Sequence, residues 1–370
     1  MAGSIRNDGN TWYYILEIGR VNGKRRQKKK RGFKTKKEAQ KALIEAEHAI
    51  LQKGMYHEPA KTLYGEYLKS WLDDKKIIVK DSTYKIYHWL IHKHIIPYLG
   101  HIEISKIRPN DIQKLYNELI TNDLLARENV QKIHSLINDS LNKAVKCDLI
   151  NRNVASLVDR PKAYKSELSV WSIQEVKLFL NNAKTSRYHI AFVLALSTGM
   201  RQGEILALRW KDIDFSKQTL SIRQTLSHTG NKINTGAKTK SSLRNITLPE
   251  ETINLLIKHK KAIQSEKRLA DILYNDNDLV VCTNVGTPCS PRNLLRTFYS
   301  ITKQSSVPRI RFHDLRHTHA TLLLEQGTHP KVVSERLGHS NVRITLDTYS
   351  HVLPTMQVET ANKLNSLLFN

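Results

Sequence analysis

Two arginines, two histidines and a tyrosine in the C-terminal half of the chain have the types and surroundings for chemistry on a phosphate ester. They lie in four short motifs: Thr198-Gly199-Met200-Arg201-Gln202-Gly203-Glu204, His313-Asp314-Leu315-Arg316-His317, Leu337-Gly338-His339-Ser340 and Leu346-Asp347-Thr348-Tyr349-Ser350-His351. A phosphodiester attacked in line gathers negative charge on its two non-bridging oxygens. A guanidinium offers such oxygens a planar pair of donors and keeps its charge, so Arg201 and Arg316 suit a clamp. A tyrosine that attacks phosphorus forms a phosphotyrosine that preserves the energy of the ester it replaces, and resealing then needs no ATP. A phenol titrates near ~10, so Tyr349 needs a neighbouring base or a cationic field to lose its proton. Singly, each residue also has a structural explanation: Arg201 with Glu204 as a helix i,i+3 pair, Tyr349 as a packed aromatic, His339 as a helix-end residue. Glu204 is expected to hold its motif loop, and Asp314 and Asp347 to cap or pair. The competing chemistry is a zinc site, since His313 and His317 stand at i and i+4 with His319 and His339 following. No glutamate follows His313 to act as a base, no acidic cluster would hold magnesium, and Arg316 would repel a cation. No metal and no other cofactor is expected, and His317 and His319 are expected to pack or to face a ligand.

Taken together and in this order, the motifs resemble those of the tyrosine recombinases, the integrases of phages and conjugative elements. The resemblance runs in detail from about Leu168 to His351, and the ten residues from His339 to Tyr349 match the family spacing. It implies a metal-free, site-specific DNA strand transfer through a 3′-phosphotyrosyl intermediate, which integrates and excises a mobile element. Tyr349 would be the nucleophile, Arg201 and Arg316 the phosphate clamp, His313 the assisting base or hydrogen-bond partner, and His339 a donor to a non-bridging oxygen. The family draws the proton for the leaving 5′ oxygen from a lysine in a β-hairpin turn. Here Lys238 is preferred and Lys240 remains open, in Gly236-Ala237-Lys238-Thr239-Lys240-Ser241. The resemblance further implies a homo-tetramer on double-stranded DNA, with core and arm attachment sites and directionality or DNA-bending proteins as partners. The expected location is the bacterial cytoplasm, on the nucleoid. The alternatives are a type IB topoisomerase-like strand transferase and a DNA-binding regulator that has lost catalysis.

Composition agrees with a polyanionic partner. The 370 residues carry 59 Lys+Arg against 34 Asp+Glu, a net charge of +25, and a positive field of that size concentrates phosphates around the chain. Three cysteines, Cys147, Cys282 and Cys289, show no CxxC spacing and suggest a reducing compartment. The longest apolar run, residues 190–196, is too short to span a bilayer, so no membrane role is expected.

The elements that must position these residues read as mainly α with small β-sheets. Aromatic and β-branched residues 11–18, an Asn22-Gly23 turn and a basic strand predict a small N-terminal sheet, and Thr35-Lys36-Lys37-Glu38 predicts a capped helix through about Leu51. Residues 1–57 are expected to form an arm-type DNA-binding domain that uses Lys24, Arg25, Arg26, Lys28, Lys29, Lys30 and Arg31. Helical periodicity fills 58–160, the expected core-binding domain, with helices through Leu63–Leu72, from Ser82 towards Pro97, from Asp111, and over Gln131–Lys146. A linker over 161–167 precedes a mixed α/β catalytic domain over 168–370, in which Ala361, Leu364, Leu367 and Leu368 predict a tail helix.

Overall fold

Alternating burial along one strand explains the N-terminal module. In the computed structural model, which describes residues 3–21, 24–53, 61–162, 168–227, 230, 232–235, 243–350, 361–362 and 364–369, strands β1 (Ser4–Asn7), β2 (Trp12–Val21) and β3 (Lys24–Phe33) form an antiparallel sheet in the order β1-β2-β3. Tyr14 and Leu16 of β2 point to one face and are fully buried with Leu43 and Ala46 of helix α1 (Lys36–Lys53). The predicted cap is present: Thr35 Oγ1 accepts the Glu38 N–H at 3.2 Å, and the Glu38 carboxylate reaches back to the Lys34 N–H. On the other face Lys29 Nζ lies 3.9 Å from the centre of the Tyr13 ring, with the Arg31 guanidinium at 5.6 Å. The Asn22-Gly23 turn lies outside the described residues, and of the basic residues Lys24, Arg25 and Arg26 only the strand backbone is described.

The chain divides into two units, Met1–Lys165 and Ser166–Asn370. Besides the sheet module, the first contains helices α2 (Tyr64–Ile78), α3 (Asp81–Leu90), α4 (Ile96–Leu99), α5 (Pro109–Thr121) and α6 (Arg127–Lys146) around their own apolar core. Between α3 and α4 the helix widens into a π turn, Ile91–Ile95, in which Ile96 N–H bonds back to Ile91. Pro97 follows immediately; it has no N–H to donate, so the wider turn leaves no donor stranded. Of the expected linker 161–167, residues 163–167 lie outside the described residues.

The second unit is built around α8 (His189–Thr198), whose residues from Ile190 to Ala195 are all buried. Around it stand α7 (Ile173–Ala183), α9 (Gln202–Leu206), α10 (Glu250–Ala270), α11 (Pro291–Gln304), α12 (Asp314–Glu325), α13 (Pro330–Leu337) and α14 (Val342–Tyr349). One sheet pairs β4 (Ile213–Asp214), β5 (Thr219–Ile222) and β8 (Arg244–Thr247), and β6 (Gln224–Leu226) pairs with β7 (Ile233–Thr235). Residues 219–226 thus form two strands, broken at Arg223, that serve two sheets. Residues 361–362 and 364–369 are helical, and Leu364, Leu367 and Leu368 are exposed. No helix among the described residues is long and apolar enough to cross a membrane.

Candidate active site

The loop that follows α8 sets the first arginine. Gly199 ends the helix at φ +66°, and a Cβ there would come within 2.6 Å of Leu337 and 2.7 Å of His319, so only glycine fits. Arg201 then donates twice to Glu204, from its backbone N–H at 2.9 Å and its Nη1 at 2.8 Å. Glu204 is buried and also accepts from Arg244 Nη2 at 3.0 Å. Burial alone would raise the Glu204 carboxyl, but Arg244 and Arg201 outweigh it and hold the group below the usual carboxylate range. Glu204 thus holds the motif loop, as its position predicts.

Helix α12 carries the next set on its first two turns. Asp314 caps its start by accepting the Arg311 N–H at 2.7 Å. Arg316 is 3% exposed; its Nη1 donates to Gly199 O at 2.8 Å, while its Nη2 is buried with no hydrogen-bond partner among the described residues. Burial and the guanidiniums of Arg201 and Arg244 pull Arg316 down to about 9, which leaves it charged at neutral pH. A buried guanidinium with an idle N–H and two like-charged neighbours is costly unless an anion completes it. That donor is the strongest sign of a ligand in the unit.

The tyrosine closes the site. Tyr349 ends α14 and is 1% exposed, packed with Leu324, Val333 and Leu337. Burial pushes its phenol up to about 12, with Arg316 pulling the other way. Its hydroxyl shares a 2.8 Å hydrogen bond with His317 Nδ1. His313, expected as its partner, stands one turn earlier with its ring 5.2 Å from that of His317. The correction follows from helix phase: four residues separate the two histidines, and α14 meets α12 at the level of His317. Burial, together with Arg316 and Arg311, lowers the His317 pKa, so at neutral pH its ring can accept a proton. His339 follows Gly338, the left-handed cap of α13 at φ +70°, and its Nδ1 bonds Thr345 Oγ1 at 2.8 Å. Burial, then Arg316 and Arg201, push it down to about 4. For His313, burial and the neighbouring His317, Arg316 and Arg201 do the same.

His319, three residues beyond Arg316, is structural. Its Nδ1 meets Leu196 O at 2.7 Å and its Nε2 accepts from Arg336 Nε at 3.2 Å, an arrangement that only the neutral ring satisfies. Burial and Arg336 push its pKa down to about 4. The unfolded chain binds a proton there near 6.5, so this contribution to stability is complete above that pH and is lost as pH falls towards 4. The loss is on the order of 3 kcal/mol. Thermal unfolding between pH 7 and pH 4.5 should show a falling midpoint, and His319→Gln should flatten the slope; an unchanged slope would mean that the ring titrates normally.

The structure therefore gathers Arg201, His313, Arg316, His339 and Tyr349 into one electrostatically connected site, while Lys238 and Lys240 lie outside the described residues. Sequence reasoning missed His317 as the tyrosine's partner and gave Arg244 no role in the site. Among the described residues no group of three or more His, Cys, Asp or Glu is placed to hold a metal ion.

Comparison with known proteins shows the family and the fold. Residues 171–356 match the model of the phage integrase family, residues 4–50 an arm DNA-binding domain, and residues 63–120 the N-terminal SAM-like domain of phage integrases. A tyrosine recombinase XerC-like protein of Caldanaerobacter subterraneus subsp. tengcongensis is 31% identical, over 98% of both chains. This chain belongs to the phage integrase family. The ICEBs1 integrase of Bacillus subtilis is 30% identical to this family member over 83% of each chain. The integrase fold recurs in the Tn1549 transposon integrase in complex with a circular intermediate DNA, with a TM-score of 0.70 at 19% identity over 81% of this chain and 99% of that one. It recurs as well in a lambda integrase tetramer bound to a Holliday junction, with a TM-score of 0.58 at 21% identity over 92% and 95%. The chain is thus a tyrosine recombinase, and its fold is mainly helical with small sheets.

Proposed function

We propose that this tyrosine recombinase integrates and excises a mobile element, with Tyr349 as nucleophile and Arg201, Arg316 and His339 around the scissile phosphate. The observation that carries the assignment is the buried Nη2 of Arg316, which has no partner among the described residues. In the forward step Tyr349 Oη bonds to phosphorus and its proton passes to His317 Nδ1. The bond from phosphorus to the 5′ oxygen breaks, and that oxygen takes a proton from Lys238. The product is a 3′-phosphotyrosine and a free 5′-hydroxyl, and attack by another 5′-hydroxyl reverses every transfer. The two guanidiniums stabilise the charge that builds on the non-bridging oxygens.

This assignment has a pH signature. His317 serves as proton acceptor only when neutral, so cleavage should stay level through neutral pH and fall as pH drops through its lowered pKa, below the usual 6.5. His317→Gln should remove that acid limb and slow cleavage. A limb that survives in the mutant would belong to another group.

Residues 1–57 serve as the arm-binding module, 58–160 as the core-binding domain, 161–167 as the linker, and 168–370 as the catalytic domain with its tail. Four protomers on two core sites exchange strands in pairs, with accessory directionality or bending proteins, on the DNA of a bacterial host. The basic β3 strand and the family matches to each segment support this division. The test uses a nicked duplex of the repeat that bounds the element: the full chain should form a covalent adduct that survives a denaturing gel, without nucleotide. A protein of residues 58–370 should form the same adduct yet lose binding to arm DNA, whose affinity should fall with a log–log salt slope of about −0.9 per phosphate neutralised. No adduct with the full chain contradicts the function, and unchanged arm binding by the truncated chain contradicts the division.

A further inference from the structure

Arg244 begins β8, and its guanidinium is buried at 6% exposure. Nη2 donates to Glu204 Oε2 at 3.0 Å and Nη1 faces Oε1 at 3.4 Å, so this fork grips the carboxylate that in turn holds Arg201. Nε donates to the carbonyl of Arg336 at 2.7 Å. That carbonyl lies in the last turn of α13, where the helix leaves its C=O groups without intrahelical partners and where a cation is favoured. Two residues later the helix ends at Gly338, which presents His339. The Arg336 side chain ties the same turn to Ser197 O and to His319.

The three buried or half-buried guanidiniums of the site therefore differ in kind. Arg316 keeps a buried N–H idle, Arg201 is 40% exposed, and Arg244 has an acceptor at each of its three nitrogens. The first two are free to meet a phosphate, whereas the third is spent on protein. We propose that Arg244 is the positioning residue that holds the two sides of the phosphate site in register, fixing Arg201 through Glu204 and His339 through the end of α13. It acts on the reaction through residues that touch the phosphate and not by touching it. The inference rests on the recombinase assignment of the site.

The test compares two nicked duplexes of the bounding repeat, one with a normal scissile diester and one in which a methylphosphonate replaces it. The phosphonate is neutral, so it needs far less help from aligned cationic donors. Arg244→Gln should bind the normal duplex within about threefold of wild type and cleave it on the order of a hundredfold more slowly, the effect of a small misplacement of catalytic groups. On the methylphosphonate duplex the two proteins should differ by less than about fivefold. A general defect in folding would slow both substrates equally. Arg244→Gln/Glu204→Gln removes both charges of the buried pair together and should show the same contrast, which keeps the test valid if the single variant does not fold. Equal losses on the two substrates, or no loss on either, would overturn the role of Arg244. Failure of the wild-type chain to cleave the normal duplex would overturn the recombinase assignment itself, and the inference with it.

Discussion

Arg316→Lys should bind a core-site duplex within a few-fold of wild type and form the covalent adduct at least about a hundredfold more slowly. The charge survives the substitution, but the geometry does not. Nη1 of Arg316 is committed to Gly199 O, which fixes the guanidinium plane and leaves Nη2 for the ligand. A lysine ammonium is a single point on a flexible stem and cannot serve the carbonyl and a phosphate oxygen from fixed directions. Loss of one preorganised donor to a developing oxyanion costs about a hundredfold to a thousandfold in rate. Single-turnover adduct formation beside a gel-shift titration separates the two effects. Near-normal cleavage would remove Arg316 from the phosphate.

Lys238→Ala should cleave ordinary DNA poorly, and DNA with sulfur at the bridging 5′ position nearly as well as wild type. A thiolate leaves without needing a proton, so only a defect in proton donation is relieved by the sulfur. The chain holds two candidates two residues apart, Lys238 and Lys240. Rescue of Lys240→Ala in place of Lys238→Ala would move the general acid by those two positions. Rescue of neither would direct the test to His313, which sits beside Arg316 and Arg201 with its pKa pushed down to about 4 by burial first and by their charge.

The parts of this site that were legible in sequence are those fixed by local rules. Gly199 and Gly338 each end a helix in the left-handed conformation, and each is followed within two residues by a site side chain, Arg201 and His339. The apolar run 190–196, which becomes the buried centre of α8, likewise appears in the chain before any fold is known. What could not be read depends on the phase of one helix against another. His313 and His317 lie on one face of α12, and only the packing of α14 decides which of them meets Tyr349. Arg244 was hidden for a different reason. Among 59 Lys and Arg residues nothing local marks one at the start of a short strand, and its partners Glu204 and Arg336 are 40 and 92 residues away. The strand β1 escaped notice because it is a four-residue edge with little buried surface, whose pairing is supplied entirely by β2.

The account turns on one covalent bond. The adduct formed on a nicked core-site duplex should be digested with protease and nuclease, and the peptide that carries the nucleotide sequenced by mass spectrometry. The phosphate should sit on Tyr349, joined to the 3′ end of the cleaved strand with the 5′-hydroxyl free, and Tyr349→Phe should bind the duplex and give no adduct. A phosphate on any other residue, an adduct to the 5′ end, or an adduct from Tyr349→Phe would contradict it.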